Sequence, residues 1–199
     1  LYVLLVMFHF VYILNSIVFL DFQSFFLIVL LVPVLSGIAD FMGTKKRFMQ
    51  FFCYLGALGC ASLFYFDKDT LEISMLSVFM ASVGFWGSLV FYNSFLLEIA
   101  DKDQHDKISA QGFSLGYIGS VSLLVTILLL NGVVGMPVKY GFLMVAVWWV
   151  GFAQVTYRVL PNNPFKKKPE ADYIWKGYKE LKIVYKEFMQ TTRLKKYLY

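Results

Sequence analysis

Residues 37–48 read GIADFMGTKKRF, and they join one long apolar run to another. Residues 22–38 and 48–66, on either side, carry no charged side chain. Between them stand Asp40, Lys45, Lys46 and Arg47. Two uncharged runs of that length around a short charged stretch read as two membrane helices and their loop. Gly37 permits close approach of a neighbouring helix. Gly43 allows a tight turn. Asp40, at a span end, can pair with a cation or a helix N-terminus.

The rest of the chain follows the same pattern. Of 199 residues, 59% are hydrophobic, 19% aromatic and 16% charged. Soluble domains average about 45–50% apolar and about 25% charged. Disorder, collagen-like repeats and disulfide scaffolds are excluded by this composition. So is an ordinary soluble enzyme, because the charge is not spread along the chain. Residues 71–97 hold Glu72 alone and residues 108–157 hold Lys139 alone. Six spans are expected, over residues 1–20, 22–38, 48–66, 73–97, 109–130 and 138–160. Only Asp21, Gln23 and Ser24 separate the first two, which requires a very tight hairpin. The alternative is one complete span within residues 1–38, preceded by a remnant. The apolar start lacks the basic region and small-residue cleavage site of a signal peptide.

Charge placement sets the topology. With the loop at 40–47, the loop at 101–107 and the C-terminal tail on one side, that side holds 16 of the 18 Lys and Arg. Lys68 and Lys139 fall on the other. The positive-inside rule makes the basic side cytoplasmic, with both ends of a six-span chain on it. The tail from 161 to 199 opens on Pro161 and Pro164, which stop the last span. Lys166, Lys167 and Lys168 follow, placed to meet anionic headgroups. Ile174, Tyr178, Leu181, Tyr185 and Phe188 then recur at helical spacing, flanked by lysines. This reads as an amphipathic helix on the membrane face. The alternative is a soluble helix packed on another domain. The organisation expected is therefore a transmembrane bundle over 1–160 and a cytoplasmic basic linker over 161–199. Nucleic-acid binding is the lesser reading of the basic tail.

The loop at 37–48 resembles the signature loop of the major facilitator superfamily, between that fold's second and third helices. Here the basic cluster comes one residue later, after Thr44. Residues 91–100 (FYNSFLLEIA), residues 109–120 (SAQGFSLGYIGS), Pro33 to Asp40, and the Gly56/Gly59 helix are similar to one branch, the vacuolar amino-acid effluxer-like permeases and their bacterial relatives. The resemblance covers about residues 24–160, with the tail as the linker between two six-helix halves. It implies an all-α integral membrane fold: a six-helix half of a major-facilitator bundle with a cytoplasmic amphipathic linker helix. It implies secondary transport by alternating access, with efflux of amino acids or another small polar solute. Gly37, Asp40, Gly43, Lys45, Lys46 and Arg47 would then serve as a cytoplasmic gate, not as the binding site. The partners implied are the lipid bilayer, a small solute and a second six-helix half. The membrane is the cell membrane in a bacterium and the vacuolar membrane in a fungus.

Within the spans, Gly112, Gly116 and Gly119 share one face, suited to helix packing. Ser82, Trp86 and Asn93 form a stripe on the preceding span, and Gln111 is polar beside the glycine face. Uncharged polar groups in membrane helices face the bundle or a water-filled cavity, so these four are candidate cavity residues. Interhelical hydrogen bonding without solute contact is the other reading. Glu98, near the basic end of its span, is a candidate for proton coupling; the plainer reading is an interface charge or a partner of the signature loop. Cys53 and Cys60 lie about 10 Å apart along one helix, too far for a disulfide, and read as packing residues. His9 and His105 have no partner at metal-ligand spacing. Phosphate-loop, H-E-x-x-H and G-x-S-x-G motifs are absent, so neither an enzyme nor an ATP motor is read here and no cofactor is implied. The chain begins at Leu1 and stops within a basic-aromatic stretch, which suggests part of a longer protein. A truncated or degenerate half that acts only with a partner chain is the second reading.

Overall fold

In the computed structural model the described residues are 2–67 and 71–161, with Lys182 and Lys186 beyond them; for residues 2–13 and 40–42 the backbone alone is described. Six α-helices follow one another: α1 (Tyr2–Met42), α2 (Lys45–Ser62), α3 (Leu71–Ser94), α4 (Leu96–Ile99), α5 (His105–Val134) and α6 (Lys139–Val159). Short 3-10 turns at Leu63–Tyr65 and Lys102–Gln104 extend α2 and lead into α5.

The first helix corrects the expected hairpin. Residues 1–20 and 22–38 do not form two spans; α1 runs through both without a break. The physical reason lies in what residues 21–24 lack. No glycine or proline interrupts residues 2–32, so a few polar side chains have nothing with which to end a helix. Forty-one helical residues extend about 60 Å, twice the ~30 Å hydrocarbon core. Among the described residues of α1, the stretch apolar enough to cross a membrane is Leu14–Ala39. Pro33 lies inside it and removes one backbone donor from the helical ladder.

Among the described residues five helical stretches, not six, are long and apolar enough to cross a membrane. The others are Lys45–Tyr65, Leu71–Ile99, Lys102–Val134 and Lys139–Val159. Two of the connections expected to share a side lie at one end of the bundle, with the end of α6 beside them. Contacts described below join the 43–47 turn to α4 and to the end of α6.

The bundle is built around α2, which packs on α3 and α6, while α1 lies along α3. Glycine makes the α2–α3 contact possible. A Cβ on Gly84 would collide with the backbone of Gly56, and one on Gly59 would lie 2.6 Å from the Ala81 amide nitrogen. On the other side of Gly56 sits the Trp149 indole of α6. Where the backbones diverge, rings fill the gap. Phe91 stacks between Phe48 and Phe52, with centroids 5.4 Å and 6.0 Å away. Ser62 and Ser77 add an interhelical hydrogen bond of 3.0 Å between their hydroxyls.

Helix α5 stands apart. Leu123 is its one buried residue. Gly116 has open space around it, and a Cβ on Gly119 would come no nearer than 3.9 Å to the Trp148 indole nitrogen. Among the described residues, little packs on the glycine face of α5. The close glycine contacts are on α2 and α3, at Gly56, Gly59, Gly84 and Gly87. Of the three, Gly112 has the nearest neighbour, the Tyr92 hydroxyl, 3.0 Å from where a Cβ would stand.

Candidate functional site

The turn at 43–47 has a defined geometry. Gly43 takes φ 63°, a left-handed conformation that glycine adopts without steric cost. This lets the Thr44 amide reach back to the Ala39 carbonyl at 2.9 Å, closing α1 with a glycine cap. The Thr44 carbonyl then accepts from the amides of Arg47 (2.9 Å) and Phe48 (3.2 Å), starting α2. The turn thus projects three basic residues from the first turn of a helix, next to the helix's positive end.

Two of the three are engaged. Lys45 donates to the Glu98 carboxylate at 2.7 Å, and both side chains are mostly shielded from solvent. Lys46 donates to the Leu160 carbonyl at 3.1 Å, just past the end of α6. Arg47 is exposed. The 43–47 turn is therefore tied at once to α4 and to the terminus of α6. Glu98 reaches this position because the helix breaks at Phe95. The Ser94 hydroxyl turns back onto the Phe91 carbonyl at 2.7 Å, and α4 restarts one residue later. Of the two readings of Glu98, the structure displays the ion pair with the signature loop. Gly37 lies half-buried within α1. The Asp40 side chain is outside the described residues.

The second cluster lies along α1 and α3. Trp86 is half-buried, and its indole N–H donates to the Asp21 carboxylate at 3.1 Å. Phe25 meets Trp86 edge-on at 5.0 Å, and Phe85 does so at 5.2 Å. One turn along from Asp21, Ser24 is fully buried and bonds the Leu20 carbonyl at 2.8 Å. Its hydroxyl also lies 3.4 Å from the Phe79 carbonyl, so a small side chain brings α1 close to α3 here. Asp21 was expected in a hairpin. It lies instead within the unbroken helix α1, inside the Leu14–Ala39 stretch of the described residues. A charged side chain within a membrane helix costs about 2.5–3.5 kcal/mol at mid-depth on insertion scales. Sequence reading missed this residue. The signal was present, because residues 21–24 contain no turn-forming glycine or proline.

The remaining candidates are not gathered with Trp86. Ser82 is half-buried on α3, whereas Asn93 and Gln111 are exposed. Between α5 and α6 runs an open apolar groove of about 750 Å³, lined among others by Leu123, Tyr140, Trp148 and Phe152. Most of the outward surface is also apolar. Leu124, Val133, Val147 and Val159 are each more than half exposed. Helices that satisfy their own backbone and present such side chains are what a bilayer solvates.

These features define a multi-pass integral membrane protein of the major-facilitator type. Residues 4–199 match the family described as vacuole effluxer Atg22 like, and the chain belongs to that family. It is a family of membrane transporters, not a class of enzymes. Over 176 residues the chain is 30% identical to the uncharacterised MFS-type transporter YxiO of Bacillus subtilis (strain 168). That match covers 84% of this chain and 41% of the relative, so the chain spans less than half the relative's length. No solved structure matches the chain. The resemblance read from the signature loop and the spans after it is thereby shown. The linker helix read at 174–188 lies outside the described residues, save that Lys182 and Lys186 are helical and exposed.

Proposed function

We propose that this chain is the membrane part of a secondary transporter that exports amino acids or another small polar solute by alternating access. The observation that carries the reading is the double tether of the 43–47 turn, through Lys45 to Glu98 and through Lys46 to the Leu160 carbonyl. Three helix ends from distant parts of the chain are held together at one end of the bundle. An arrangement that closes one end by a few polar contacts is suited to opening when they break. Gly43 sets the turn, Lys45 and Lys46 hold it, and Arg47 stays available to headgroups or to a further partner. Asp40 is the remaining member of this gate.

The basic side is cytoplasmic in this reading. A second six-helix half, from the same native polypeptide or a separate chain, completes the solute site at the interface of the halves. The setting is the cell membrane of a bacterium or the vacuolar membrane of a fungus. Trp86 and Ser82 supply polar groups to the solute path, and the basic tail links the halves along the membrane surface.

The test is counterflow of labelled amino acids in proteoliposomes carrying the native gene product. Saturable exchange is expected. Lys45→Glu should lower the exchange rate severalfold, and adding Glu98→Lys should recover most of it. Exchange unaffected by Lys45→Glu, or by alanine at Asp40 and Arg47, removes the gate assignment. Absence of exchange with every amino acid removes the substrate class.

A further inference from the structure

We propose that Asp21, with Trp86 and Phe25, forms a recognition site for a protonated amine. The inference rests on the transport reading above and assigns one subsite within it. Asp21 lies inside a stretch able to cross a membrane. Among the described residues no lysine, arginine or histidine pairs with it; the group it meets is the indole N–H of Trp86 at 3.1 Å. An ionised carboxylate offers about four acceptor positions. One hydrogen bond from a neutral indole fills one of them and leaves the others open to a donor.

The surroundings select what neutralises it. The Trp86 indole is flanked edge-on by Phe25 and Phe85, at 5.0 Å and 5.2 Å. Phe25 is one helical turn from Asp21 on the same face of α1. Aromatic rings beside a carboxylate favour a cation, through ring faces that attract positive charge. An ammonium group fits better than a metal ion. Hard divalent cations take six or more oxygen ligands, commonly from several carboxylates, and no metal-binding group of acidic, histidine or cysteine residues occurs among the described residues. An ammonium has three N–H donors and needs only one charged acceptor with apolar or aromatic walls. Trp86 then has two tasks: it orients the carboxylate through its N–H and offers a ring to the cation.

The experiment uses the native gene product in nanodiscs and follows its tryptophan fluorescence during titration with n-butylammonium or with butyrate. A saturable change with butylammonium and none with butyrate is expected. Asp21→Asn, which keeps an acceptor for Trp86, should weaken butylammonium binding at least tenfold without lowering the thermal transition. Trp86→Phe should remove most of the optical signal. In proteoliposomes Asp21→Asn should raise KM for an amino acid about tenfold and leave its amine-free carboxylate analogue unchanged. Equal binding of butylammonium by the native protein and Asp21→Asn overturns the proposal, whether or not transport occurs. Loss of exchange for amine and amine-free solutes alike, with butylammonium binding intact, assigns Asp21 to coupling and also overturns it. Failure of transport with amine binding retained breaks the transport reading and leaves this site standing.

Discussion

Where α2 crosses α3, Gly84 faces the Gly56 backbone so closely that a methyl group on Gly84 has no room. Where α5 runs beside α6, Gly116 has open space and a groove of about 750 Å³ separates the helices. Both regions are apolar, helical and rich in glycine. The difference is what the glycines meet. In the first, backbone meets backbone and aromatic rings seal the edges. In the second, the glycine face is turned away from the rest of the chain. Membrane helices gain little from hiding apolar surface from apolar lipid, so association depends on close fit and on polar contacts. A glycine stripe is consequently a capacity for packing, and the partner decides whether it is used.

The largest effect should come from the tight side of this comparison. Gly84→Leu should abolish the monodisperse detergent-solubilised species in size-exclusion chromatography. Gly84→Ala should cost about 1–3 kcal/mol, the usual range for overpacking, and lower the thermal transition in proportion. An unchanged transition for Gly84→Ala would show that α2 and α3 separate more readily than their geometry implies. Gly116→Ala should be nearly silent, within about 0.5 kcal/mol. A loss in the native gene product as large as that of Gly84→Ala would show that another element covers the α5 face.

The polar contacts rank lower. Charge reversal at Lys45 or Glu98 should cost about 0.5–1 kcal/mol of the conformer that holds their contact, with recovery in the double reversal. A double-mutant cycle read on solvent accessibility of a cysteine placed at Thr44 measures this coupling. Ser77→Ala should cost about 0.6 kcal/mol, since hydrogen bonds between membrane helices average near that value. The same thermal scan used for Gly84→Ala measures it. A larger loss from Ser77→Ala than from Gly84→Ala would reverse the comparison and make hydroxyls, not glycine, the glue of α2 and α3.

Much of the architecture was legible before any coordinates. The 37–48 stretch was readable as a loop between spans because its glycines and charges are contiguous. The sides of the loops followed from lysine and arginine placement, and the structure joins the same loop ends through Lys45 and Lys46. Of the two readings of the first 38 residues, the hairpin fails because it gave three polar residues the weight of a turn. Helix continuation needs only the absence of a breaker, and residues 2–32 supply none. The glycine packing was assigned to α5 from spacing alone, while Gly84 and Gly87 on α3 were overlooked. Spacing identifies a smooth face without identifying the helix that meets it.

The sequence alone determined the membrane class, the family and the Gly43 turn. Each depends on hydropathy, charge or backbone freedom over a few consecutive residues. Tertiary structure alone decided that Trp86 meets Asp21 across 65 residues and that Lys45 meets Glu98 across 53. Helices α1, α3 and α5 are apolar nearly all round, so no hydrophobic stripe sets their rotation about their own axes. For α3 that rotation is set by where its glycines let its backbone touch α2.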